Sequence, residues 1–286
     1  ALTLLQEMYK EGTIAKDFIT MDAESVFAEL GAGRAGIWFG PNWGAMNPSI
    51  DATQNDIKCH MVAAEVPSGN GETRKAYVSA TPSTVYCVSS KCEHPELLIK
   101  LWNLSVKYQN AQYCTTEEYN MYYGDSANYS GWKTSIVEGG APNGRITNTH
   151  LTEAVASGDT TTLNAKETEN YNSIKAYMDA IANNTFDPKD TALQRGLSLY
   201  TVHLDPQCAW KVTWKKLSDG SFVESAYNGI ASDTVSSSAG TLQKLLTETI
   251  IKVITGAQEP SSYDSFLKTW YAMGGQTAMD EANENK

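Results

Sequence analysis

The C-terminal third of the chain sets the strongest constraint on its fold. Leu242, Leu245, Leu246, Ile250, Val253 and Ile254 recur at three- and four-residue spacing, and Gly256 follows them. That spacing puts the apolar side chains on one side of a helix, and a glycine supplies the left-handed residue that ends it. Such a stripe must be buried against another element. The next stretch offers one: Tyr263, Phe266, Leu267 and Trp270 line a second helical face, with Ser261 or Ser262 as cap and Gly274-Gly275 as stop. A compact pair of amphipathic helices closing the chain is the expectation.

Upstream, helical patterns alternate with short apolar runs. Ala1 to Glu11 reads as a helix stopped by Gly12, and a second helix starts at Asp22 or Ser25 and runs through Leu30. Ala35 to Phe39 is suited to a buried strand, turned by Gly40-Pro41. Ile57 to Val66 reads as a strand; Tyr77 to Ala80 and Val85 to Ser89 read as extended, split by Pro82. His94-Pro95-Glu96 opens a helix that continues to about Tyr108. Tyr113 to Asn148 is rich in Tyr, Asn, Gly and Ser and reads as loop with one short helix. From Glu167, the residues Tyr171, Ile174, Tyr177, Met178 and Ile181 mark another helix, ended by Asn183-Asn184. Ala209 to Lys215 alternates, with Trp210, Val212 and Trp214 facing one way. That favours a half-buried strand, and a helix continuing from Leu193 fits as well. Ser218 to Ser221 is a turn, and there is no internal repeat. Alternation of helices and short buried strands implies an α/β architecture.

Charge narrows the function. With 33 acidic against 22 basic residues, the net charge is -11, and no Lys/Arg cluster exists beyond Lys215-Lys216. A nucleic-acid binder needs a basic footprint, so that class is excluded. No apolar run reaches the ~20 residues of a membrane span. The chain's 286 residues suggest one large domain or two moderate ones. It opens inside a helical pattern, with no signal peptide and no lipid-anchor cysteine near the start, so residue 1 is not expected to be the biological start. The five cysteines form no C-x-x-C pair, which gives no zinc or redox motif. They read as free thiols, although Cys87 and Cys92 could pair. No H-E-x-x-H, G-x-S-x-G, P-loop or G-x-G-x-x-G pattern is present, and the four histidines are scattered. No catalytic residue, metal ligand or cofactor is therefore assigned. Glu117-Glu118 reads as a solvated acidic pair.

Four blocks carry a resemblance. The first joins Ala1-Leu-Thr-Leu-Leu-Gln-Glu-Met-Tyr-Lys-Glu-Gly12 to Ala28-Glu-Leu-Gly-Ala-Gly-Arg-Ala-Gly-Ile-Trp-Phe-Gly40. The second runs from Val85 through His94-Pro95-Glu96 to Trp102. The third joins Ser218-Asp-Gly-Ser221 to Ala226-Tyr-Asn-Gly-Ile-Ala-Ser-Asp-Thr234, and the fourth is the closing helix pair. In this order they resemble the extracellular solute-binding proteins of bacterial carbohydrate ABC importers, in the LipO or aldouronate-type lipoprotein branch. The resemblance implies a type II periplasmic-binding-protein-like α/β fold. Its two lobes would be joined by hinge crossovers, and the N-terminal half would be missing from this chain. It assigns residues 1–75 and 205–286 to the C-terminal lobe and 76–204 to the other lobe, with an aromatic insertion. It implies a non-enzymatic protein that takes an oligosaccharide into the inter-lobe cleft and hands it to ABC permease subunits. Such a protein lies outside the membrane, held at a Gram-positive type surface by a lipid anchor that this chain does not contain.

Sugar rings present apolar C–H faces fringed by hydroxyls, so their sites combine aromatic platforms with hydrogen-bonding side chains. Seven Trp and fifteen Tyr against six Phe suit that demand, because Tyr and Trp keep a polar edge. The resemblance points to Trp43, with Asn42 beside it, as the ligand-stacking aromatic after the Gly40-Pro41 turn. It also points to Tyr227 and Asn228 in the third block. Trp132 sits in polar sequence, and Trp210 shares a face with Trp214, so both are candidate contacts. Trp38, Trp102 and Trp270 read as core. A secreted carbohydrate-active enzyme, with two carboxylates set apart in space, is one rival reading. An adhesion or protein-interaction domain using the aromatic 113–132 stretch is another.

Overall fold

A computed structural model describes residues 1–69, 71–72, 74–78, 85–109, 111, 113–124, 137, 144–225 and 232–284. Along the chain these residues form α1 (Leu2–Glu11), α2 (Ala23–Gly31), α3 (Met46–Asn55), β1 (Ala76–Val78), α4 (Leu97–Gln109) and α5 (Thr116–Tyr123). Next come α6 (Gly144–Ser157), α7 (Ala165–Ala182), α8 (Thr191–His203), α9 (Ala209–Ser218) and β2 (Phe222–Glu224). The chain closes with α10 (Asp233–Ile254), α11 (Ser262–Trp270) and α12 (Gln276–Glu284).

The protein is mostly helical, and β1 and β2 make one short parallel pair. This departs from the expected alternation of helices with buried strands. Ala35 to Phe39 forms no strand, and Ile37 and Phe39 are 86% and 78% exposed. From residue 60 to residue 66, the one backbone hydrogen bond among the described residues is Ala63 N donating to Gln207 O at 2.8 Å. An apolar run becomes a strand only when a neighbouring backbone takes its N–H and C=O groups in a ladder, and among the described residues these runs form no such ladder.

The chain divides into two compact units. The smaller comprises residues 1–24, 77–82 and 223–286 and the larger residues 25–76 and 83–222. In the smaller unit α1 packs on α10, and the Gln6 amide donates to Val253 O (2.7 Å) and Gln258 O (3.1 Å). Val253 is fully buried. Ser232 caps α10 by accepting from Val235 N at 3.1 Å. The expected stop at Gly274-Gly275 is a turn rather than an end: Gly274 takes φ 106°, and α12 continues beyond it. Gly275 lies against the Trp270 ring and has no room for a Cβ.

In the larger unit α7 and α8 pack closely, with α3 and α6 against them. Leu151, Ile174 and Leu199 form the core, surrounded by Met46, Tyr171, Met178 and Leu204. The close approach of α7 and α8 depends on Gly196: a Cβ there would strike the Ser173 carbonyl and come within 2.6 Å of Tyr177 Cβ. Asn164 and Glu167 form a capping box at the start of α7, and Thr115 and Glu118 form one at α5. A second cluster sets Tyr119 and Tyr123, stacked at 5.1 Å, beside Ala111 and Ala165. Trp102, expected in the core, is 36% exposed and meets Tyr86 edge-on; Trp38 is half-buried. All five cysteines are free thiols, with Cys208 buried and Cys59, Cys87 and Cys92 exposed. Among the described residues no helix is long and apolar enough to cross a membrane.

Candidate functional site

Trp210 lies on α9, the helical alternative for this stretch and not the strand. Residues four apart share a face in a helix and in a strand alike, so Trp210 and Trp214 stay together in either reading. Their rings are 5.4 Å apart. Backbone pairing inside the segment decides for the helix, and the Thr213 hydroxyl donates to Ala209 O at 3.1 Å.

Three helices fix these indoles. Trp214 Nε1 donates to the Asn148 side-chain oxygen (2.9 Å) on α6, and the Asn148 amide donates to His203 O (2.8 Å) at the end of α8. The His203 ring lies nearly parallel to Trp210, with centroids 6.0 Å apart and planes inclined by 12°. Gly144, the first residue of α6, abuts the Trp210 ring so closely that any side chain would collide with it. Both indoles are half-buried, so each keeps part of its surface in reach of a solute.

Charge gathers beside these rings. Lys166, in the first turn of α7, has its amine desolvated. Burial holds its pKa below the usual lysine value, the Arg195 cation adds to that effect, and Glu167 opposes it. Among the described residues Lys166 makes no hydrogen bond or ion pair. Arg195 donates to the Asn170 side-chain oxygen at 3.1 Å. Burial lowers the His203 pKa to about 4, with Lys166 and Arg195 acting in the same direction, so the imidazole is neutral at pH 7. Its Nδ1 is buried without a hydrogen-bond partner. The nearest carboxylate in sequence, Glu167, is committed elsewhere: it accepts from Asn164 N at 3.1 Å and pairs with His150 Nδ1 at 3.0 Å.

A second cluster involves residues of α8 and of the turn that follows it. His60 Nε2 meets the buried Asp205 carboxylate at 2.7 Å, and that carboxylate also accepts from Gln207 N at 2.7 Å. Tyr177 and Tyr200 line the adjoining cavity of about 40 Å³. Burial raises the pKa of both phenols, and the Asp205 charge adds to it. A space of this size holds water, and a sugar ring does not fit. No group of residues able to hold a metal ion occurs among the described residues.

Trp43 is 55% exposed and Asn42 half-buried, in the turn that leads into α3. Among the described residues no ring contact or hydrogen bond joins them to Trp210. Trp132, Tyr227 and Asn228 lie outside the described residues. Compared with family models, curated proteins and solved structures, the chain matches none. Lys166, Arg195, Asn148 and His203 were not among the residues singled out from the sequence. The N-x-x-E pattern at Asn164 to Glu167 is the sequence signal for the helix start that carries Lys166.

Proposed function

We propose that this protein is the solute-binding component of an ABC importer that captures an oligosaccharide outside the membrane and delivers it to the permease. The observation that carries this reading is the half-buried Trp210–Trp214 pair set among Asn148, His203, Arg195 and Lys166. Indole faces suit the C–H face of a pyranose, and the polar side chains suit its hydroxyls. The four sequence blocks add their order. The two-lobed type II fold belongs to the same proposal. The chain passes from the larger unit to the smaller within both strands of the parallel pair, at residues 76–77 and 222–223.

The test is a thermal-shift screen of the chain against plant and host oligosaccharides, followed by calorimetric titration. A ligand that binds the native state raises the midpoint by mass action. The expected result is a saccharide that stabilises the protein, is not turned over, and loses affinity about 30-fold on Trp210→Ala, the cost of truncating a central aromatic anchor. A flat response across the panel from folded protein, or hydrolysis of the bound saccharide, contradicts the proposal.

A further inference from the structure

The cavity beside Asp205 is short of hydrogen-bond donors and of positive charge. Five of the side chains that line its space of about 40 Å³ end in oxygen: Ser49 on α3, Tyr177 on α7, Tyr200 and Thr201 on α8, and Asp205 in the turn that follows. Thr201 is the most telling. It is 7% exposed, and among the described residues its hydroxyl makes no hydrogen bond. Elsewhere in the chain a helical threonine donates to the carbonyl four residues back, as Thr152, Thr213 and Thr249 do. A hydroxyl buried without a partner is costly. The Tyr177 and Tyr200 hydroxyls make no hydrogen bond among the described residues either, and their ring centroids are 5.5 Å apart. Ser49 Oγ donates to Met46 O at 2.9 Å and keeps its lone pairs. The Asp205 carboxylate, 5% exposed, meets His60 Nε2 and accepts from Gln207 N, both at 2.7 Å. No Lys or Arg lines the cavity. A neutral imidazole gives a carboxylate a hydrogen bond and no counter-charge, so the buried charge of Asp205 lacks compensation.

We propose that this cavity binds a small monovalent cation (sodium, potassium or ammonium), held by the Asp205 carboxylate and the hydroxyl oxygens of Thr201, Tyr177, Tyr200 and Ser49. The ion supplies the missing counter-charge, and the hydroxyls turn their lone pairs to it. One carboxylate among neutral oxygens suits a singly charged ion. Calcium sites draw on several charged ligands, and among the described residues no group able to hold a metal ion through three His, Cys, Asp or Glu side chains occurs. Size selects as well. A water-sized particle needs about 10–15 Å³ of such space, so the cavity admits an ion with a water and rejects tetramethylammonium. The ligands come from α3, α7, α8 and the turn after α8, so the ion ties α3 to the α7–α8 pair and stabilises the folded larger unit by mass action. This inference is independent of the solute-binding reading.

The experiment follows the melting midpoint of the whole chain in increasing sodium, potassium, ammonium or methylammonium chloride. Tetramethylammonium chloride holds the ionic strength constant, and the buffer is at about pH 8, above the range in which histidines ordinarily take up their charge. Thr201→Val removes one ligand oxygen and keeps the branched shape; Asp205→Asn removes the charge. The expected result is that at least one of the small ions raises the midpoint saturably where tetramethylammonium does not. Its apparent affinity is about tenfold or more weaker in Thr201→Val, and the response is absent in Asp205→Asn. In tetramethylammonium alone, Thr201→Val melts no lower than the wild type. A response to methylammonium as well as ammonium identifies the occupant as the head of an amine ligand, and a response to an alkali ion alone identifies a free ion. Equal midpoints in every salt overturn the site. So does a response that Thr201→Val retains in full, which is decisive even where Asp205→Asn fails to fold.

Discussion

The α7–α8 pair and the extended stretches 35–39 and 57–66, which flank α3, are all rich in apolar residues, and they end differently. On α7 and α8, Ile174 and Leu199 are almost wholly buried, and the helices close to within the space that Gly196 allows. In 35–39 and 57–66, Ile37, Phe39, Ile57, Val62 and Val66 are exposed, at 86%, 78%, 57%, 48% and 42%. The difference follows from where each backbone finds its partners. A helix satisfies its N–H and C=O groups internally and needs only a facing stripe, which lies close by in sequence. An extended segment needs a second backbone alongside, and its apolar side chains stay in water until one is present.

Substitutions on the two sides should therefore separate widely. Ile174→Ala is expected to destabilise the larger unit by about 2–5 kcal/mol, the usual range for emptying a close-packed core site. Urea unfolding monitored by far-UV circular dichroism checks it. A loss under about 1 kcal/mol would place the core elsewhere.

Acidification probes the same helix pair through His203. Its folded-state pKa, near 4, lies below the ordinary 6.5. The unfolded chain therefore binds the proton first, and stability is lost as pH falls from 6.5 towards 4. About 2 kcal/mol is at stake, less than the full shift implies because the ring is only half-buried. His203→Phe should flatten that part of the stability profile, as measured by urea midpoints across the range. An unchanged slope would show that other groups set it.

Asn164→Ala should cost about 1 kcal/mol, because the Asn164 side-chain oxygen Oδ1 accepts from Glu167 N at 2.9 Å and caps α7. Lys166→Met should act in the opposite sense, raising stability of the ligand-free protein by about 0.5 kcal/mol, since it removes a cation from a helix start. Both are read from the melting midpoint, and a destabilised Lys166→Met would mean that the cation is compensated in the folded protein. At the far end of the comparison, Ile37→Ser should change stability by less than about 0.5 kcal/mol. A larger loss would show that the extended segment is covered.

The same contrast explains what was legible in the sequence. Helices with a plain apolar stripe and a stop were visible: α1 with Gly12, α7 with Ile174 and Met178, and the second half of α10. The helix α8 entered only as the alternative continuing from Leu193, because its buried positions include Gly196, Ser198 and Thr201, which carry little hydrophobic signal. Helix α3 was not read at all, and it buries Pro48, Ser49, Ala52 and Thr53. In α9, Trp210 and Trp214 satisfied two periodicities at once. The strand readings of 35–39 and 57–66 treated apolar content as evidence of burial, and lateral hydrogen bonding is the part that composition cannot supply. Trp210 could be singled out because an aromatic is conspicuous in a sequence. Lys166, Arg195 and His203 could not, since their proximity is created only when α7 packs on α8.

The most direct test of the account is a calorimetric titration of the chain with the saccharide that most raises its melting midpoint, repeated with Trp210→Ala. The account predicts one binding event in the wild type, weakened about 30-fold or more in the folded variant. Equal affinity in the two proteins would contradict it, by removing the aromatic pair on α9 from the site.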